Sequence, residues 1–195
     1  MERETAEEVF NNLMNENGDF DFAYVKPLQD FMMHRVIKNA KTNNLPVIIH
    51  TGLQTGSGNI IENSKPTHLV NLFLQYPEVR FVLYHGSYPY GGELATIAKN
   101  FRNVYIDLCW LYIISPSYAE RYLHEWLETV PANKIMGFGG DFRNIENTYG
   151  HLYFAKQIIS KVLIDKVASG YFSESEAKKI AQMILYENAR NFYNL

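Results

Sequence analysis

The chain is poor in several things, and each shortage removes a class of function. It has one cysteine, Cys109, among 195 residues, so no internal disulfide forms and an oxidising compartment is not implied. It has no excess of positive charge: 18 Lys and Arg stand against 21 Asp and Glu, a net charge of −3. The basic footprint of a nucleic-acid binder is therefore missing. No apolar run approaches the roughly 20 residues of a membrane span. The first residues, Met-Glu-Arg-Glu-Thr-Ala-Glu-Glu, lack the basic start and apolar middle of a secretory signal. A soluble, cytoplasmic protein acting on a small molecule, with neither nucleic acid nor membrane as partner, is the expectation.

What is present suffices for one core. Hydrophobic residues make up 47% of the chain, the share of an ordinary globular domain, and the length predicts a single domain over 1–195. Residues 1–26 read as a leading helix and loop. Ala6, Val9, Phe10 and Leu13 share one helical face, and Asn17-Gly18-Asp19 ends that helix. Pro27 fits a helix first turn, followed by a stripe of Leu28, Phe31 or Met32, Val36 and Ala40.

From residue 46 strand and helix alternate four times. Strands are expected near 46–50, 80–85, 103–109 and 134–139. Helices are expected near 66–76, 92–102, 116–129 and 148–169. Ser115 before Pro116 is a candidate N-cap, and Gly170 suits the position after a helix end. A last helix over 174–189 opens with a capping box, Ser173 to Glu176. The alternation predicts an α/β fold with a parallel sheet and outer helices. An eight-stranded βα barrel takes about 250 residues; four units amount to half a barrel or a small open sheet.

Three strand ends carry ligand-type side chains: Pro46-Val-Ile-Ile-His50, Phe81-Val-Leu-Tyr-His85 and Ile135-Met-Gly-Phe-Gly-Gly-Asp141. The carboxyl rim of a parallel sheet is where such folds do chemistry. Each has a plain alternative. A strand-end histidine can bond a carbonyl, and Gly-Gly-Asp can be a turn with an Asx cap. Two histidines on consecutive strands, about 4.8 Å apart, could reach one ion or one substrate. Asp141 could bind a metal and take a proton from water. On a flat sheet, however, His50 and Asp141 would lie about 14 Å apart, so only curvature brings them together. Asp107 could face the interior or be a paired structural carboxylate. Arg143 could clamp a substrate carboxylate or form a surface ion pair. Of 14 tyrosines, a minority such as Tyr88 and Tyr90 could line a polar pocket. Cys109 reads as a small core residue, and His34, His68 and His124, inside helices, receive no role.

The order His50-Thr-Gly, His85-Gly, Gly-Gly-Asp141, closed by Ile184-Leu-Tyr-Glu-Asn-Ala-Arg-Asn-Phe-Tyr193, resembles the amidohydrolase superfamily. It looks closest to the amidohydrolase-related TIM-barrel metal-dependent hydrolases, and to the C-terminal half of their barrel. The resemblance implies His50, His85 and Asp141 as ligands of a divalent metal, zinc or manganese. Asp141 and His85 would be catalytic, as base and as a group polarising the substrate. Arg143, Tyr88 and Tyr90 would bind that substrate. It implies C–N or C–O hydrolysis, or a related decarboxylation or isomerisation of a small acid. The family's His-x-His pair on its first strand has no counterpart here, nor has its strand-four lysine or glutamate. An incomplete or split form, weak in metal binding or inactive alone, follows. The alternative is a non-catalytic half-barrel, structural or ligand-binding, which self-associates or pairs with a complementary half-barrel chain.

Overall fold

A computed structural model describes residues 3–15 and 19–195. The chain divides into two compact units, 1–45 and 46–195. The first holds α1, Arg3–Asn15, and α2, Phe22–Thr42, which pack on one another and are linked by Asn12 Nδ2 donating to the Tyr24 hydroxyl at 2.6 Å. The break expected at Asn17-Gly18 lies outside the described residues. Helix α2 does not start at Pro27. Asp21 caps it, its carboxylate accepting from the Tyr24 amide at 2.8 Å, and Pro27 lies inside, where its ring removes one ladder bond. Ile37 is buried where the stripe called for Val36, which stays 54% exposed. Positions three and four before Ala40 lie on one helical face, so spacing alone does not choose between them.

The second unit carries the sheet. Strands β1 (Val47–His50), β2 (Phe81–Tyr84), β3 (Val104–Asp107) and β4 (Ile135–Met136) lie in that order, all parallel. Four parallel strands with outer helices are what the alternation predicts. The strands are shorter than expected, and His85 starts a tight turn just past β2. β4 stops at Met136 because the Gly137 amide donates to the Ile184 carbonyl, at 2.6 Å. The chain beyond still runs beside β3, with the Trp110 amide donating to the Gly139 carbonyl at 3.2 Å.

The outer face of the sheet is covered by helices, while on the inner face Val82 and Met136 are covered by Phe192, and Ile48 of β1 stays 45% exposed. Helices α3 (Val70–Gln75), α4 (Gly91–Asn100), α5 (Leu111–Ile114), α6 (Pro116–Thr129) and α7 (Ile145–Ala168) follow the strands. Phe81, Leu83, Ile106, Leu94, Leu123 and Trp126 are fully buried. Each such aliphatic or Phe side chain contributes about 1.5–3 kcal/mol on burial. Trp126 also donates to the Gly91 carbonyl at 3.0 Å, tying α6 to α4. The Lys134 ammonium ends α4, donating to the carbonyls of Ala98 and Phe101, a favourable charge at a helix C-terminus. Pro66 heads a 3-10 turn rather than an α-helix, and α3 begins only at Val70.

Asn144 caps α7, accepting from the Asn147 amide at 3.3 Å, so α7 begins before the expected residue 148. Gly170 follows its end with φ of +75°. α8, Glu174–Gln182, has the expected capping box. It does not continue unbroken to 189. A π turn over Met183–Glu187 separates it from α9, Asn188–Tyr193. The cause is the same bond that ends β4. The Ile184 carbonyl is committed to Gly137, and the Asn188 amide bonds to Met183 instead. Asn188 Nδ2 then donates to the carbonyls of Ala132 and Ile135, both at 2.7 Å. This sets Phe192 against Val82 and Met136. No helix among the described residues is long and apolar enough to cross a membrane.

Candidate metal centre

The site lies wholly in the second unit, past the carboxyl ends of the strands. At the end of β1, Thr51 is buried and its hydroxyl lies 2.7 Å from that of Ser87, fixing β1 to the turn after β2. Gly52 has φ of +75°, and a Cβ there would lie 2.2 Å from the Tyr88 carbonyl oxygen. Only glycine lets the two loops meet so closely. The chain then folds back, so that His50 Nε2 reaches the Leu53 carbonyl at 2.8 Å. A carbonyl only accepts, so Nε2 carries the hydrogen and Nδ1 keeps its lone pair.

His85 is buried and has φ of +60°. Its Nδ1 lies 2.7 Å from the Cys109 carbonyl. By the same reasoning Nδ1 is the donor and Nε2 keeps the lone pair. Burial lowers its pKa, which keeps the ring neutral, the form that binds metals. The rings of His50 and His85 are 4.2 Å apart, centre to centre.

Beyond β4, Asp141 has φ of +51° and an exposed side chain. One of its oxygens, a ring nitrogen of His85 and the Cys109 sulfur lie within 4.8 Å of one another. His50, His85, Asp141, Arg143, Trp110 and Phe142 line one cavity of about 640 Å³. His50 and Asp141 thus line the same cavity, but the group whose ligand atoms lie within 4.8 Å of one another is His85, Cys109 and Asp141, without His50. Tyr88 and Tyr90 lie outside the cavity lining. The Tyr88 ring packs on Tyr118, 4.7 Å between centres, and the Lys65 ammonium lies 5.3 Å from the centre of the Tyr90 ring.

Beneath the cavity, Asp107 is buried and accepts from the Cys109 amide at 2.7 Å. Burial pushes its carboxyl up to about 7, opposed by that amide bond. Burial also raises the Cys109 thiol, and the charges of Asp107 and Asp141 add to the effect, so a thiol without a cation stays protonated. His151, on α7, is buried among Tyr112, Phe138 and Phe142. The Gly140 backbone is the one polar group that acts on its ring, too loosely for a well-formed hydrogen bond, and the Trp110 indole nitrogen has no partner among the described residues.

Sequence reasoning passed over Cys109, Trp110, Phe142 and His151 as neighbours of this rim. The available signal was that Cys109 and Trp110 follow a strand end like the others. A second group of ligand types, Glu120, His124 and Asp165, also gathers within 4.8 Å. There the Lys161 ammonium already pairs with Glu120 and, at 3.4 Å, with Asp165.

The donor set around His85 and Asp141 fits a divalent cation. It offers two imidazoles, each with one nitrogen held by a carbonyl and the other left for a metal, and a carboxylate in the same cavity.

Comparison with known proteins agrees with this architecture. The chain is 35% identical over 178 residues to Protein fluG of Emericella nidulans, a match covering 87% of this chain and 20% of that protein. Its fold superposes on a protein of Lactobacillus casei assigned as a metal-dependent hydrolase, with a TM-score of 0.80 at 22% identity, covering 100% of this chain and 50% of that one. It superposes on uronate isomerase of Thermotoga maritima with a TM-score of 0.82 at 18% identity, covering 99% of this chain and 46% of that one. The chain therefore spans about half the length of these solved structures and about a fifth of the curated relative. The amidohydrolase family pattern matches residues 10–195, and with four parallel βα units of the barrel type the chain belongs to the amidohydrolase family.

Proposed function

We propose that this chain carries the cation-binding rim of an amidohydrolase-type site acting on a small acid, with His50, His85 and Asp141 as its ligands. One observation carries the reading: the two histidines turn opposite ring nitrogens to carbonyls, freeing Nδ1 of His50 and Nε2 of His85 in a cavity shared with Asp141. A divalent cation supplies a Lewis acid for the substrate oxygen and for water. The chain's own groups do the rest. Asp141 accepts the proton of the attacking water and returns it to the leaving group. His85, buried and neutral, holds its place at the reacting oxygen. Arg143, on the cavity wall, binds the substrate carboxylate through its planar fork. The uronate isomerase among its structural neighbours supports a sugar acid, or an aromatic acid of similar charge, as substrate. Isothermal titration of the metal-free chain with zinc and with manganese tests this reading. Stoichiometric uptake, lost in Asp141→Asn, is expected; no uptake of either ion would overturn it.

The second reading is a non-catalytic half-barrel that pairs with another copy or with a complementary chain. It is favoured by β1, which ends the sheet with Ile48 45% exposed. An open strand edge with apolar side chains invites pairing. Light scattering at micromolar concentration distinguishes a dimer from the monomer that would refute it.

A further inference from the structure

Cys109 is more than a core filler. It stands just past β3, 3% exposed, with its sulfur in the group formed with His85 and Asp141. Two other features converge on it. Its own carbonyl, 2.7 Å from His85 Nδ1, is what leaves the Nε2 lone pair of that histidine available. And Gly139 lies directly against it: a Cβ at 139 would be 2.8 Å from both the sulfur and the Cβ of Cys109. The glycine lets the segment after β4 approach Cys109, which brings Asp141 to the thiol.

We propose that Cys109 is itself a cation ligand, so that His85 Nε2, Cys109 Sγ and an Asp141 oxygen hold a thiophilic divalent ion, with His50 on the same cavity wall as the fourth donor. The inference rests on the metal reading above and deepens it by naming a thiolate in the donor set. Tetrahedral zinc, with bonds of about 2.3 Å to sulfur and 2.0–2.1 Å to nitrogen and oxygen, sets its ligand atoms about 3.3–3.6 Å apart. The group's ligand atoms lie within 4.8 Å of one another, so a contraction of up to about 1.5 Å completes the site, and the exposed Asp141 side chain can supply part of it. As the metal–sulfur bond forms, the thiol proton leaves to solvent. A thiolate favours zinc over manganese, a preference that three nitrogen and oxygen donors alone would not impose.

The test is titration of the metal-free full chain with cobalt(II) alone, followed by absorption. An intense near-ultraviolet sulfur-to-cobalt band should rise in step with the weak visible bands of the bound ion. Cys109→Ser, its fold checked by circular dichroism, should lose the near-ultraviolet band and bind cobalt at least about 10-fold more weakly. If the wild type gives visible bands without the near-ultraviolet one, Cys109 is not a ligand while the His50, His85 and Asp141 reading stands. If no visible bands appear at all, both fall. Should the serine variant fail to fold, the wild-type spectrum alone decides.

Discussion

Two places on this chain gather the same kinds of side chain, and they are chemically opposite. Glu120, His124 and Asp165 lie on the faces of α6 and α7 around the Lys161 ammonium. His85, Cys109 and Asp141 lie past the strand ends, and among the described residues no ion pair is formed by Asp141, although Arg143 lines the same cavity. The first cluster has its cation already, supplied by the protein. The second has neutral or anionic donors only, and backbone carbonyls hold its neighbouring imidazoles in the tautomers that leave a lone pair each. Proximity of ligand types is therefore a weak criterion. What separates a site from an ion-pair network is whether the protein fills the central position itself.

Removing a donor from the strand-end cluster tests this difference at its strong end. With zinc at 100 times its dissociation constant, binding should stabilise the wild type by about 2.7 kcal/mol. Asp141→Asn should remove most of that gain while leaving the metal-free melting temperature close to wild type, since the side chain is exposed. Calorimetric melts with and without zinc measure both.

A smaller effect is expected from the wall behind the same cluster. His151 is buried, and its ring has at best a loose hydrogen bond, to the Gly140 backbone. A fully unsatisfied buried polar group costs about 1–3 kcal/mol, so His151→Phe, which gives up only a loose bond to Gly140, should stabilise the chain by up to that amount. Burial lowers the His151 pKa below its ordinary 6.5. As pH falls through 6.5 the unfolded chain therefore takes up the proton first, and the wild type loses stability that the phenylalanine variant keeps. Denaturant titrations at pH 7.5 and 5.5, on roughly either side of that ordinary value, should show the gap between them widening in acid.

The smallest effect belongs to the other cluster. Lys161→Met takes the ammonium from Glu120 and Asp165 on an exposed surface, where such pairs contribute little. Its melting temperature should barely move. The variant should also leave zinc affinity at the strand ends unchanged, which titration calorimetry measures.

Much of this arrangement is written locally, and that part was legible. Ser115-Pro116 places the start of α6, and Ser173 with Glu176 places that of α8. The apolar runs before His50 and His85 mark strands, and their polar ends mark the rim. Features set by distant partners were not legible. The Gly137 to Ile184 bond shortens β4 and inserts the π turn after α8, yet neither residue announces the other in sequence. Cys109 is the clearest case. A core cysteine and a ligand cysteine both follow an apolar strand, and only its placement against His85, Gly139 and Asp141 tells them apart.

The most direct measurement is an anomalous difference map at the zinc absorption edge, from crystals grown with stoichiometric zinc. A single peak between His85 and Asp141, with none among Glu120, His124 and Asp165, is the predicted result. A peak at the Lys161 cluster, or an empty strand-end rim at full zinc, would contradict the account.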